Sequence, residues 1–211
     1  MSLDLLALSV TPRGGKAPLF APLTLSVPDD QIVTVMWASG MGKSTLLDAV
    51  AGHLPHDFRL SGQVMLAGRD VTHLPPEARA IGLMFQDAQL FPHLSVGDNL
   101  AFGLPAALRG RTARAAAVGA ALESAGLAGF GQRDPATLSG GQRARIALMR
   151  ALLAKPRALL LDEPFSRLDA SLRAEIRRFV FDHLRAESIP ALMVSHDHDD
   201  ADAAGGPVIR L

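Results

Sequence analysis

Apolar residues recur along this chain in two rhythms, and the change from one to the other predicts how it folds. Leu3 to Val10 and Leu23 to Val27 alternate apolar with small or polar residues, the period of a strand that lays one face on a core. The Pro- and Gly-rich TPRGGKAP between them predicts a loop, so the two runs predict a small antiparallel sheet. Ile32 to Met36 is apolar nearly throughout, as in a parallel-sheet strand covered on both faces. A loop containing Gly40 and Gly42 follows, then a helix from near Lys43 to about Ala51, with Gly52 as its C-cap. Ser61 to Val71 predicts a hairpin turning near Ala67-Gly68. Pro75-Pro76-Glu77 opens a short helical turn before a strand over Ile81 to Phe85.

The middle of the chain changes to helix. Ser95 is an N-cap for a helix through Asn99 and Leu100, and Thr112 caps an Ala-rich helix over Ala113 to Ala125. Together they predict an all-helical insertion over roughly residues 87–138. After Ser139-Gly140-Gly141 a helix runs to Lys155, where Pro156 stops it. Strand Ala158 to Leu161 then carries Asp162-Glu163 at its C-terminal end, the end where α/β sheets bind ligands. A helix from Ser171 to Glu187 places Leu172, Ile176, Phe179, Val180, His183 and Leu184 on one face. Strand Ala191 to Val194 leads into Ser195-His196-Asp197, and Val208 to Leu211 closes the chain as a last strand. No internal repeat interrupts this order.

Composition narrows the function classes. At 211 residues the chain suits one large domain with small insertions. Lys plus Arg equals Asp plus Glu at 21 each, so no net charge points to nucleic acid or to an anionic surface. The absence of Cys removes disulfides, thiolate metal sites and thiolate nucleophiles, and suits a reducing cytoplasm. The N-terminus MSLDLLALSV lacks a basic region and a long enough apolar run for a signal peptide. No run reaches about 18 uninterrupted apolar residues, so the expectation is a chain that does not span a membrane.

The chemistry is concentrated first in WASGMGKST, residues 37–45. Between a strand and a helix, such a loop turns backbone N–H groups inward and sets a helix N-terminus behind them, a cradle for phosphates. Ser39, Gly40, Met41, Gly42, Lys43, Ser44 and Thr45 form the cradle. Lys43 would hold the β and γ phosphates, and Ser44 would ligate Mg²⁺. Trp37 departs from the phosphate-loop pattern, which asks for a small residue there.

Four further stretches share this order: FQD at 85–87, LSGGQ at 138–142, LLLDEPFSRLD at 159–169 and SHD at 195–197. With the loop they resemble one family, the nucleotide-binding subunits of ATP-binding cassette (ABC) transporters, over the whole chain. The resemblance implies an α/β P-loop NTPase (RecA-like) core with a mostly parallel sheet, an N-terminal antiparallel β-subdomain and an α-helical insertion. Residues 1–86 and 139–211 would form the ATPase core, and 87–138 the helical subdomain. It implies ATP and Mg²⁺ as ligands, with Asp162 holding the metal through water opposite Ser44. Glu163 would be free to act as general base on the attacking water. Gln86 resembles the glutamine that senses Mg²⁺ and water, and His196 the histidine that contacts the γ-phosphate.

Ser139, Gly140, Gly141 and Gln142 open a helix and, in the family, serve the partner subunit's ATP. Asp169 resembles the residue that crosses the same dimer interface; beside it, Arg167 stands where a small residue is more usual. The aromatic residue that usually stacks adenine after the first strand is replaced by Thr11, Pro12, Arg13 and Gly14, which leaves the Arg13 guanidinium as the stacking candidate. His196 and His198 with Asp197, Asp199 and Asp200 read as an acidic, exposed helix start rather than a metal site.

The implied function is an ATP-hydrolysing subunit that energises transport of a small solute. Its partners would be integral membrane permease subunits and a second copy, or a homologous ATPase, in a head-to-tail dimer. Its place would be peripheral, on the cytoplasmic face of the inner membrane, with no nucleic acid bound. The run LFPHLSVGDNL and the segment DEPFSRLD look most like importers. The alternatives are a soluble ABC ATPase that does not transport and a catalytically weak regulatory cassette.

Overall fold

The difference between alternating and continuous apolar runs becomes two different sheets. In a computed structural model, which describes residues 2–37 and 42–211 and only the backbone of residue 171, strands β1 (Ser2–Pro12), β2 (Leu23–Pro28), β4 (Phe58–Leu66) and β5 (Arg69–Asp70) form a four-stranded sheet in the order β2-β1-β4-β5. Every recorded pair in it is antiparallel. Its β2 buries every other residue, Leu23, Leu25 and Val27, as a one-sided sheet requires. The second sheet has five strands in the order β6-β7-β8-β3-β9, from β3 (Ile32–Met36), β6 (Ile81–Met84), β7 (Ala158–Asp162), β8 (Ala191–Ser195) and β9 (Val208–Arg210). β3 runs parallel to β8 and β9, and β7 parallel to β8. All five residues of β3 and of β8 are buried, which is why neither alternates in sequence.

β1 is longer than the predicted strand and is bulged. Leu3 and Leu5 face inward before the irregularity, Leu8 and Val10 after it, while Leu6 and Ala7 are both exposed. Ala7 takes a φ of 47°. Its partner strand supplies Gly62, φ 88°, where an added Cβ would lie 2.4 Å from the Ala7 carbonyl oxygen. The strand therefore bends only because the facing residue has no side chain. The predicted hairpin turn is present, with Ala67 and Gly68 both at positive φ (50° and 76°) between β4 and β5. Most of the β4 ladder, however, is with β1.

The chain divides into two compact units. The first comprises Met1–Leu83, Arg157–Glu163 and Phe181–Leu211, and holds one core drawn from β1–β4, helix α1 (Lys43–Ala51), β7 and β8. Arg79, from the short α2 (Pro76–Arg79), is 5 % exposed within it. It donates to the carbonyls of Ala49 and Val50 at the end of α1 and to those of Leu74 and Thr72. A buried guanidinium with four carbonyl partners thus serves as the C-terminal anchor of α1.

The second unit comprises Met84–Pro156 and Pro164–Val180, and contains α3 (Val96–Phe102), α4 (Arg111–Ser124) and α5 (Gly140–Leu153). Ser95 caps α3 by accepting from Asp98 N–H, as its sequence predicts. Thr112 does not cap α4: the helix starts at Arg111 after Gly110, whose φ of 92° makes it the residue that turns the chain. α5 stops at Leu153, short of Lys155, and Lys155 takes a positive φ (53°) just before Pro156. Helix α6 (Ala170–Ala186) buries Ile176, Val180 and Leu184 of the predicted face.

Candidate nucleotide site

In the first unit, three strand ends bring chemistry together. β3 ends at Met36, and α1 begins with Lys43 and Ser44 after the N-cap Gly42. Ser39, Gly40 and Met41 lie outside the described residues. β7 ends at Asp162, and the next residue, Glu163, donates its backbone N–H to Val194 of β8 at 2.9 Å with a φ of 43°. His196 follows the end of β8. Because β7, β8 and β3 are parallel neighbours, their C-terminal ends share one edge, and the two acids and the histidine arrive there with Lys43.

The side chains are engaged with one another. Lys43, 8 % exposed, donates from Nζ to Glu163 Oε1. His196 Nδ1 lies 3.3 Å from the other carboxylate oxygen, Oε2. Ser44 Oγ donates to Asp162 Oδ2 at 2.9 Å. Glu163 is therefore not the unengaged carboxylate that its place after Asp162 suggests. An ammonium with little access to water takes the nearest carboxylate, and Glu163 is that carboxylate.

These contacts separate the two acids electrostatically. Burial pushes the Asp162 carboxyl above its ordinary range, and the Glu163 charge adds to this, against the Ser44 hydrogen bond and Lys43. Burial would raise Glu163 too, but the hydrogen bonds and charges of Lys43 and His196 outweigh it and hold Glu163 below its ordinary value. Asp48, one helical turn beyond Ser44, is also raised by burial, with the Asp162 charge as a smaller contribution. The hydroxyl of Ser44 and the carboxylate of Asp162 form a pair of hard oxygen donors of the kind a small divalent cation takes.

His196 has a support that its sequence did not reveal. Ser195 Oγ donates to Asp200 Oδ2 at 3.0 Å and accepts from Asp197 N–H at 3.1 Å, while Asp197 caps α7 (His198–Ala204) by accepting from Asp199 N–H. Asp200 is 2 % exposed, so the acidic helix start is partly an internal brace rather than a solvated end. An acid five residues after a strand-end serine was the available signal. Trp37 is likewise internal: 5 % exposed, it meets the Phe20 ring edge-on, with centroids 5.1 Å apart and planes at 80°. Its bulk belongs to the core, and Phe20, 6 % exposed, is spent in the same contact.

Thr45 follows Ser44 in α1 of the first unit, and the remaining described residues of the prediction belong to the second. Ser139 opens α5 with a capping box: its Oγ accepts from Gln142 N–H and the Gln142 side chain accepts from Ser139 N–H. Gly141 lies against α6, where an added Cβ would come within 2.8 Å of Leu172. Asp169 caps the start of α6, its Oδ1 accepting from Leu172 N–H at 2.9 Å. Gln86 Nε2 donates to Ser166 Oγ at 3.0 Å.

Comparison with known proteins identifies the family. Residues 20–166 match the family model described as ABC transporter. The chain is 50 % identical over 195 residues to the uncharacterized ABC transporter ATP-binding protein YnjD of Escherichia coli (strain K12), covering 92 % of this chain and 89 % of that one. It is 43 % identical over 186 residues to the thiamine import ATP-binding protein ThiQ of Rhizobium meliloti (strain 1021), 88 % of this chain and 77 % of the other. It is 42 % identical over 203 residues to the Fe(3+) ions import ATP-binding protein FbpC 1 of Haemophilus influenzae (strain ATCC 51907 / DSM 11121 / KW20 / Rd), 96 % of this chain but only 61 % of that longer protein. With a family model matched over most of its length, and with the lysine, acids and histidine gathered at the strand ends, this chain belongs to the ABC transporter family.

Proposed function

We propose that this chain binds ATP with Mg²⁺ and hydrolyses it to energise a small-solute importer through separate integral membrane permease subunits. The observation that carries this reading is the Lys43–Glu163–His196 cluster beside the Ser44–Asp162 pair at the C-terminal ends of parallel strands. Gly42, Lys43, Ser44 and Thr45, at the start of α1, would receive the phosphates together with Ser39, Gly40 and Met41. Ser44 and Asp162 would hold Mg²⁺, with Gln86 as a further oxygen ligand. When bound, Mg-ATP supplies the phosphoryl group and a metal that neutralises its charge.

The residues of the chain supply the rest. Glu163, an ionised carboxylate directly after the Asp162 strand end, takes the proton of the attacking water. His196 orients that carboxylate through Oε2 and lies ready for the γ-phosphate. Lys43 has two partners available, the carboxylate that it holds here and the phosphates. Ser139, Gly140, Gly141, Gln142 and Asp169 would complete the site of a second copy, or of a homologous ATPase, in a head-to-tail dimer. Residues 87–138 would serve as the helical subdomain between the two parts of the ATPase core.

Importer function is supported by relatives named for the import of Fe(3+), thiamine and sulfate/thiosulfate. Their differing cargoes assign none to this chain. No helix among the described residues is long and apolar enough to cross a membrane. Relatives named as import ATP-binding proteins support a place beside the permease, peripheral on the cytoplasmic face of the inner membrane. The burial of Trp37 in the core gives no support to a weakened, regulatory cassette. The test is Glu163→Gln with the permease partner present: ATP binding retained and turnover lower by about 10² or more, the worth of a general base. Equal turnover in mutant and parent would reject Glu163 as the base.

A further inference from the structure

The loop after β6 is fastened firmly along most of its length. Asn99 of α3, fully buried, accepts from Phe91 N–H at 2.8 Å and donates to the carbonyls of Phe91, Leu94 and Ser95. Arg150 of α5 donates to the carbonyls of Ala88 and Gln89, at 3.4 and 3.1 Å, and its guanidinium lies 5.1 Å from the Phe91 ring centre. These anchors stop short of Gln86 and Asp87, which are exposed.

Those two residues are fastened elsewhere, as a pair to a pair. Gln86 Nε2 donates to Ser166 Oγ, and the next residue, Asp87, accepts through Oδ1 from Arg167 Nη1. The receiving segment is flanked by buried residues, Phe165 and Leu168, at 0 and 9 % exposure. In this arrangement the Gln86 amide turns Nε2 toward Ser166. With Nε2 spent on the hydroxyl, Oε1 is the end left to accept from water or to bind a cation. One hydrogen bond between an amide and a hydroxyl open to water is an insecure tether, since water competes for both groups. The neighbouring charged bond strengthens it, being charge-assisted and directional.

We propose that Arg167 is a positioning residue for Gln86: through Asp87 it clasps the loop to the 166–167 segment and fixes the orientation in which the Gln86 amide meets water and cation. This rests on the role given to Gln86 under the proposed function.

The test compares Arg167→Ala, Asp87→Ala and the charge-swapped pair Asp87→Arg with Arg167→Asp in the full chain. Arg167 and Asp87 side chains are 60 and 52 % exposed, so the substitutions leave the core intact. The first readout is backbone hydrogen exchange at residues 86–88, with the Asn99-held amide of Phe91 as internal reference. The second is steady-state ATP hydrolysis with the permease partner. Each single variant should speed exchange at 86–88 and lower kcat about two- to five-fold, the scale of an exposed ion pair, with KM for ATP nearly unchanged. The swapped pair should restore both. In the parent, salt near 1 M should loosen the same amides, because screening then acts over about 3 Å. Unchanged exchange in the single variants, or no rescue by the swap, overturns the clasp. Faster exchange with unchanged kcat overturns its role in positioning Gln86. A parent that orders the loop in this way yet turns over no ATP would defeat the ATPase reading and leave the clasp itself standing.

Discussion

Replacing Trp37 with Ala should cost this protein stability. The indole is 5 % exposed and packs edge-on against Phe20 inside the core of the first unit. A buried Trp removes about 150–250 Å² from water. At about 25 cal/mol per Å² this is about 4–6 kcal/mol, less the share that the Ala methyl keeps. Large-to-small substitutions of buried aromatic residues give about 3–5 kcal/mol, which agrees. In a chain of this size each kcal/mol is worth about 2–4 °C, so the transition of that unit should fall by roughly 6–20 °C. Circular dichroism is the suitable probe, because the variant loses the only tryptophan. The milder Phe20→Leu keeps the indole and removes its aromatic partner, so it should cost about 0.5–1.5 kcal/mol and be visible in Trp37 fluorescence. Parental emission should already be that of a buried indole. A loss below about 1 kcal/mol in Trp37→Ala, or emission typical of a solvated indole in the parent, would refute the placement of Trp37 in the core.

Three other outcomes are expected. Arg79→Leu leaves the carbonyls of Leu74, Ala49, Val50 and Thr72 without their common donor, at about 1–3 kcal/mol for each one left unsatisfied. Urea denaturation should show a loss of at least about 3 kcal/mol, and a loss under about 1 would show that water replaces the guanidinium. Glu163 is held below its ordinary value of 4.5, so its contribution to stability is complete above that value and is lost as pH falls through the lower folded one. The stability of the parent relative to Glu163→Gln should therefore decline on acidification, and a difference that grows instead would reverse the assigned sign. Last, Ser139→Arg and Lys43→Ala chains, each inactive alone, should form one active composite site when mixed, if Ser139 serves the opposite subunit; the absence of any turnover in the mixture would count against the head-to-tail arrangement.

The sheets were legible because burial leaves a mark on composition. β2 alternates and β3 does not, and that contrast distinguishes a half-covered sheet from a fully covered one before any coordinate is known. A helix end governed by a side chain was legible as well: Ser95 caps as its sequence indicates, while the capping box of Ser139 and Gln142 emerged only in the structure. Gly110 was missed in favour of Thr112 because a cap can be a backbone conformation with no hydroxyl at all. In the site, residue types and order pointed to Lys43, Asp162, Glu163 and His196, but which partner each takes depends on distances across parallel strands. The Lys43–Glu163 bond joins residues 120 positions apart, and no local pattern encodes it. Arg79 and Asp200 were hidden for a different reason. A charged residue reads as surface in a sequence, and only the surrounding carbonyls or hydroxyl explain its burial.

The bulge in β1 has a consequence for how the chain tolerates changes of length. Deleting Ala7 would bring Leu3, Leu5, Leu8 and Val10 onto a single unbroken alternation, all still directed inward, so the strand would keep its apolar side and lose its bend. Deleting Asp4 would instead turn Leu3 outward while leaving Leu5 in place. The extra residue at position 7 thus marks the point along β1 where one amino acid can be gained or lost without reversing a face, and Gly62, opposite it, would then be free to carry a side chain.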